Sequence, residues 1–133
     1  MFDLAAEAVG SPSGAAALFF ALVIGHMLGD FPMQGEYLAL GKVRSYWKSE
    51  EAPVQMGKGM WLYCLTAHSL IQAGIVWLIS GSLVLGIAEL VLHWLTDLAK
   101  GEGWFNFATD QVLHLVAKIV FVSLICTGAI AVG

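Results

Sequence analysis

Four long apolar stretches divide the chain, and none shows the period-two alternation of a half-buried strand. They run from Ala15 to Phe31, Met60 to Ile79, Leu83 to Leu98 and Ala108 to Ala131. Each approaches the ~20 residues an α-helix needs to cross a hydrocarbon core, the third being the shortest. Backbone N–H and C=O groups cannot stay unpaired in lipid, so spanning segments are helices or closed barrels, and runs without alternation favour helices. Pro32 disfavours helical conformation in the residue before it and closes the first segment. Ser80-Gly81-Ser82 forms a turn between the second and third. The pattern predicts an all-α, four-transmembrane-helix bundle forming a single domain over residues 1–133.

Polar residues between these stretches orient the bundle. Lys42, Arg44, Lys48 and Lys58 lie between the first two helices and Lys100 follows the third, whereas the N-terminal segment and the Ser80-Gly81-Ser82 turn carry no basic residue. Basic loops stay cytoplasmic, which places both termini outside and Trp47, Trp61, Trp104 and Phe105 near the inner interface as anchors. The mixed loop from Gln34 to Gly59 is expected to hold a short amphipathic helix along the membrane surface. Asn106 is a candidate cap for a fourth helix that starts one residue later. Asp3 and Glu7, with no Lys or Arg, do not make the positive start of a cleaved signal peptide, so the first helix is expected to remain in the mature protein.

Composition agrees. The chain has 133 residues, 59% hydrophobic and 12% charged, against about 25% charged in a typical soluble domain. A domain this small has proportionally more surface to cover, so lipid must face most of it. A bacterial inner (cytoplasmic) membrane is the expected location. The net charge of −4 comes without a basic patch, so no nucleic-acid partner is expected. Cys64 and Cys126 both lie in apolar segments and read as small buried side chains rather than as a disulfide or a thiolate metal site.

Ionisable residues inside a membrane span are costly and mark a site by default. The first helix carries His26 and Asp30, four residues apart and so on one face. The second carries His68, with Gln72 one turn on. The third carries Glu89, His93 and Asp97, and the fourth Asp110, His114 and Lys118, each set spaced i, i+4, i+8. In a helical hairpin, residues equidistant from the loop share a depth. Asp97 then faces Asp110, His93 faces His114, and Glu89 faces Lys118 as a buried ion pair, on rungs about 6 Å apart. His26, Asp30 and His68 fall at the same level near the cytoplasmic face.

Two readings compete for this cluster. Polar groups can simply hydrogen-bond across helices, at about 0.6 kcal/mol each. Alternatively, the imidazoles and carboxylates bind one or two divalent ions (zinc, iron or manganese), as helix bundles do with inward-facing carboxylate and His ligands. The metal candidates are His26, Asp30, His68, His93, Asp97, Asp110 and His114. A proton or ion pathway is a third option. Gly25 and Gly29 flank His26 with the spacing of closely packed membrane helices.

The run His26-Met27-Leu28-Gly29-Asp30-Phe31-Pro32-Met33-Gln34 resembles a family of small bacterial and phage membrane proteins, domain of unknown function 3307. Lys42, His68, the set His93, Asp97 and Lys100, and then Asp110, Gln111 and His114 continue the similarity. It spans nearly the whole chain after residue 15, with Trp94 standing where the family pattern has Phe. The resemblance implies a membrane protein with polar residues on every helix and carries no activity with it.

The resulting expectation is a membrane-embedded metal-binding protein, and a metal-dependent hydrolase acting near the cytoplasmic leaflet. Gln34, Lys42, Gln72, Lys100 and Gln111 are expected behind the ligands or against a substrate. The alternatives are a structural subunit of a larger membrane or phage assembly, and an ion or proton carrier. Expected partners are the lipid bilayer and either further copies of the chain or a larger membrane complex.

Overall fold

The structure, a computed structural model, describes residues 3–53, 57 and 59–132. Among the described residues six α-helices follow one another: α1 (Leu4–Ala8), α2 (Pro12–Asp30), α3 (Gly35–Gly41), α4 (Met60–Ser80), α5 (Leu83–Gly101) and α6 (Phe107–Cys126). A single 3-10 turn, Tyr46–Lys48, follows α3. No strand occurs among the described residues.

The helix ends follow local chemistry. Ser11 accepts from the Gly14 N–H at 3.1 Å and Pro12 opens α2, a pairing that suits a helix start. Ser82 caps α5 through Leu85, and Asn106 caps α6 through Thr109 at 2.9 Å. Gly81 ends α4 at φ 69°, a left-handed conformation that glycine adopts without strain. The α6 helix stops at Cys126, earlier than its apolar run, because the chain turns at Thr127 and at Gly128, where φ is 71°. The unforeseen α1 is started by the Asp3 carboxylate accepting from Ala6. It buries Ala5 and Ala8 in the core cluster formed with α2 and α6.

Packing runs from α2 to α4, α4 to α5, α5 to α6 and α6 back to α2. Three helices, α2, α4 and α6, are long and apolar enough to cross a membrane. The α5 helix matches α2 in length but carries Glu89, Asp97 and Lys100. The large exposed side chains on all four are apolar, among them Phe20, Leu78, Val84 and Val120, while the imidazoles, the carboxylates and Lys118 are buried. Lipid as solvent selects this inverted distribution.

The interior divides by depth. Leu18, Leu22, Val76, Leu85, Phe121 and Ile125 form an apolar core. Towards the other end α2, α4, α5 and α6 each contribute ionisable groups. The short α3 helix lies within the loop where an amphipathic helix was expected. Trp47 corrects its expected role as a lipid-facing anchor. It is 6% exposed and donates from Nε1 to the Gly41 carbonyl at 2.6 Å, turning the loop inward over the bundle. Trp104, 79% exposed, remains outward. Lys58, one of the basic residues used for orientation, lies outside the described residues.

Candidate metal centre

All four histidines of the chain converge. His93 and His114 stack with ring centroids 4.0 Å apart, His26 and His114 lie at 4.8 Å, and His68 and His93 at 5.0 Å. The i, i+4, i+8 stripes of α5 and α6 face each other as a hairpin requires. The Lys118 ammonium donates to Glu89 Oε1 at 2.6 Å on the deepest rung. Asp97 and Asp110 sit together on the rung nearest the loop, bridged by Lys100 Nζ at 3.2 and 2.6 Å.

Three donor atoms crowd one point. His68 Nε2 lies 3.1 Å from His93 Nε2 and 3.3 Å from Asp30 Oδ1, and His93 Nε2 lies 3.6 Å from that oxygen. Asp97 Oδ2 approaches the same two nitrogens at 3.4 and 3.8 Å. Donors about 2.0–2.1 Å from a tetrahedral zinc stand about 3.4 Å from one another, so these spacings suit a shared cation.

The groups behind these atoms fix their orientation. Glu89, paired with Lys118, is a carboxylate and accepts from His93 Nδ1 at 3.1 Å. That bond places the proton on Nδ1 and turns the Nε2 lone pair to the centre, the arrangement that carboxylate–histidine pairs give metal ligands. Asp30 is held from both sides, by Gln72 Nε2 at 2.7 Å and Gln111 Nε2 at 2.8 Å. Gln72 also donates to the His26 carbonyl at 3.2 Å. Gly29 makes room for this amide, since a Cβ there would stand 2.4 Å from Gln72 Nε2. His26 Nε2 faces Gln111 Oε1 at 3.3 Å and Asp30 Oδ2 at 3.4 Å, behind the carboxylate.

A second group consists of Asp97, Asp110 and His114. His114 Nε2 lies 3.4 Å from Asp110 Oδ1 and 3.6 Å from Asp97 Oδ1. Neither His114 Nε2 nor Asp110 Oδ1 has a hydrogen-bond partner. Here, however, a cation is built in, because Lys100 sits between the two carboxylates.

Lysines proposed from sequence to meet a substrate therefore serve first as counterions. Lys42, at the end of α3, donates to Asp97 Oδ2 and to Gln34 Oε1, both at 2.5 Å. This placement was not legible from helix spacing, because Lys42 lies in a loop whose path no periodicity sets. Asp97 and Asp110 face Lys42 and Lys100, Glu89 faces Lys118, and Asp30 meets amides and imidazoles instead, so four carboxylates share three ammonium groups. With neutral imidazoles, one unit of negative charge is left over. Cys64 and Cys126 are free.

These features define a class: a helical bundle with membrane-spanning character whose interior holds a histidine–carboxylate cluster trimmed by lysines. A family model for a protein of unknown function, DUF3307, matches residues 18–132, and the chain belongs to that family. No curated protein and no solved structure matches it.

Proposed function

We propose that the chain is a four-span protein of a bacterial cytoplasmic membrane that binds one divalent ion and hydrolyses a membrane-borne substrate near the inner leaflet. The α5 helix is read as the fourth span because its charged side chains turn inward while Val84, Ile87, Val91 and Leu95 remain on its outer faces. One observation carries the metal reading. His68 Nε2, His93 Nε2 and Asp30 Oδ1 lie within 3.1–3.6 Å of each other. With neutral imidazoles, at most one ring proton serves the three. A cation between them satisfies all.

Two histidines and one carboxylate form the donor set of catalytic zinc and of non-haem iron sites, which leave a position open. A bound ion of this kind supplies a water of lowered pKa. The second cation position is filled by Lys100, which favours one ion over two. A bound divalent ion shifts the charge of the cluster two units towards positive, which suits an anionic substrate group. His114, whose Nε2 lies between Asp110 Oδ1 at 3.4 Å and Asp97 Oδ1 at 3.6 Å, is the candidate to carry a proton between these carboxylates and the site.

The test is elemental analysis of freshly purified protein in detergent, beside a His68→Ala variant of unchanged helicity and elution. About one equivalent of zinc, iron or manganese in the parent, lost in the variant, is the expected result. A parent that stays metal-free after each ion is supplied overturns it. The counterion role of three lysines favours a second reading in that event: a structural subunit whose polar core fixes its helices. An ion carrier is disfavoured by the apolar core of Leu18, Leu22, Val76 and Leu85 beyond the cluster.

A further inference from the structure

Access to the cluster differs between its two sides. From the loop side, α3 and the turn after it cover the centre, tied down by Lys42 to Asp97, Trp47 to Gly41 and Arg44 to Glu102 at 3.6 Å. From the lipid side, a groove of about 230 Å³ runs between α5 and α6. Leu92 and Thr96 line it from α5, and Leu113, His114, Ala117 and Val120 line it from α6. The groove is apolar except at the His114 ring and at Thr96, whose hydroxyl donates to the Leu92 carbonyl.

Lys100 continues the Leu92–Thr96 stripe one turn towards the membrane surface. Its side chain, 22% exposed, is the most accessible cation bonded to the cluster. Phe107 packs 5.8 Å from its ammonium. The groove therefore meets a buried imidazole, and one helical turn beyond Thr96 stands a partly exposed ammonium that donates to Asp97 and Asp110. Two larger grooves, of about 300 and 360 Å³, contrast with it. One lies between α4 and α5 around Trp77 and Ile87, the other between α2 and α4 around Ile24 and Ile75, and both are lined by apolar residues and glycine alone.

We infer that the α5–α6 groove seats an acyl chain of an anionic phospholipid, with its head end at Lys100 and His114. The occupant follows from complementarity of both ends: apolar side chains along the groove match a hydrocarbon chain, and Lys100 at its mouth matches a phosphate. This reading deepens the proposed function by naming its substrate class and rests on the same membrane placement, while its test reads lipid position independently of metal.

The full-length protein is reconstituted in nanodiscs containing a phosphatidylglycerol or a phosphatidylcholine probe with a diazirine in its acyl chain, and irradiated. Peptides from Leu92 to Thr96 and from Leu113 to Val120 should carry the adducts, several-fold more with phosphatidylglycerol. Lys100→Gln should bring the two probes towards equal yield. Ala117→Trp should lower the adducts several-fold, and Val116→Trp, at a more exposed position, repeats the test if Ala117→Trp does not fold. Ile24→Trp, in the α2–α4 groove, should leave them unchanged. Adducts spread evenly over all three grooves, insensitivity to Ala117→Trp, or no adducts on the α5 and α6 peptides would overturn the inference. Metal content measured on the same samples separates the two proposals. Groove-specific adducts on metal-free protein keep the lipid site and sink the metal centre, and a metal-loaded protein with scattered adducts does the reverse.

Discussion

A lysine with no exposed surface needs a partner, and Lys118 has one: Glu89, itself 1% exposed, which also accepts from His93. The attraction offsets the cost of stripping water from both charges, so the pair need add little net stability. Removing one member is different, because the other charge is left buried alone. Lys118→Met should cost about 3–5 kcal/mol in detergent-based denaturant unfolding. Adding Glu89→Gln should recover most of the loss, since the amide oxygen still accepts from His93 Nδ1. A double variant no more stable than the single one would show that Lys118 serves something other than neutralising Glu89. The pair was readable from sequence because two rigid helices and a short loop fix depth by counting residues. Lys42 was not, because its position depends on how a loop folds back, and counting along a helix says nothing about that.

The α3 helix and the turn after it behave as a strap, joined to α5 and the residue after it by Lys42 on Asp97 and Arg44 beside Glu102, and folded on itself by Trp47 bonding to Gly41. Sequence located a helix here through mixed polarity, but not its inward lean. Trp47 reads as an interface anchor by composition, and only its bond to the Gly41 carbonyl shows otherwise. Helix starts were legible where a hydroxyl or amide cap marks them, as at Asn106, while the end of α6 was not, because the apolar run continues past the turn that stops it. The strap delivers Lys42 to Asp97 Oδ2, the oxygen that also approaches His68 and His93. An ammonium there competes with a divalent ion for the same carboxylate and repels it. Lys42→Met should therefore tighten ion retention, by about tenfold in a chelator titration, or ~1.4 kcal/mol. Looser retention would make Lys42 an organiser of Asp97 rather than its competing cation.

At the scale of the molecule, the number of spans and their direction are coupled. Three helices qualify by length and apolarity alone, and α5 joins them only if its charges are accepted as interior. A count of charged residues ignores the face that carries them, so a helix with Glu89, Asp97 and Lys100 turned onto the cluster is set aside although its outer face is apolar. The hidden face also explains why the site was visible in the sequence before the span was: residues that lower hydropathy are those that build the cluster. Four spans return the chain to the side it started from, whereas three leave its ends on opposite sides. With Cys64 and Cys126 replaced by Ala, single cysteines at Ser13, Glu50 and Thr127 distinguish the cases. These three positions are exposed, in the first turn of α2, between α3 and α4, and after α6. An impermeant maleimide applied to the intact bacterial inner membrane from outside should label Ser13→Cys and Thr127→Cys and spare Glu50→Cys. Labelling at Glu50 alone would keep four spans and invert the bundle, moving the cluster to the outer leaflet. Labelling at only one of Ser13 and Thr127 would remove α5 from the bilayer, and with it the lipid-facing groove against α6.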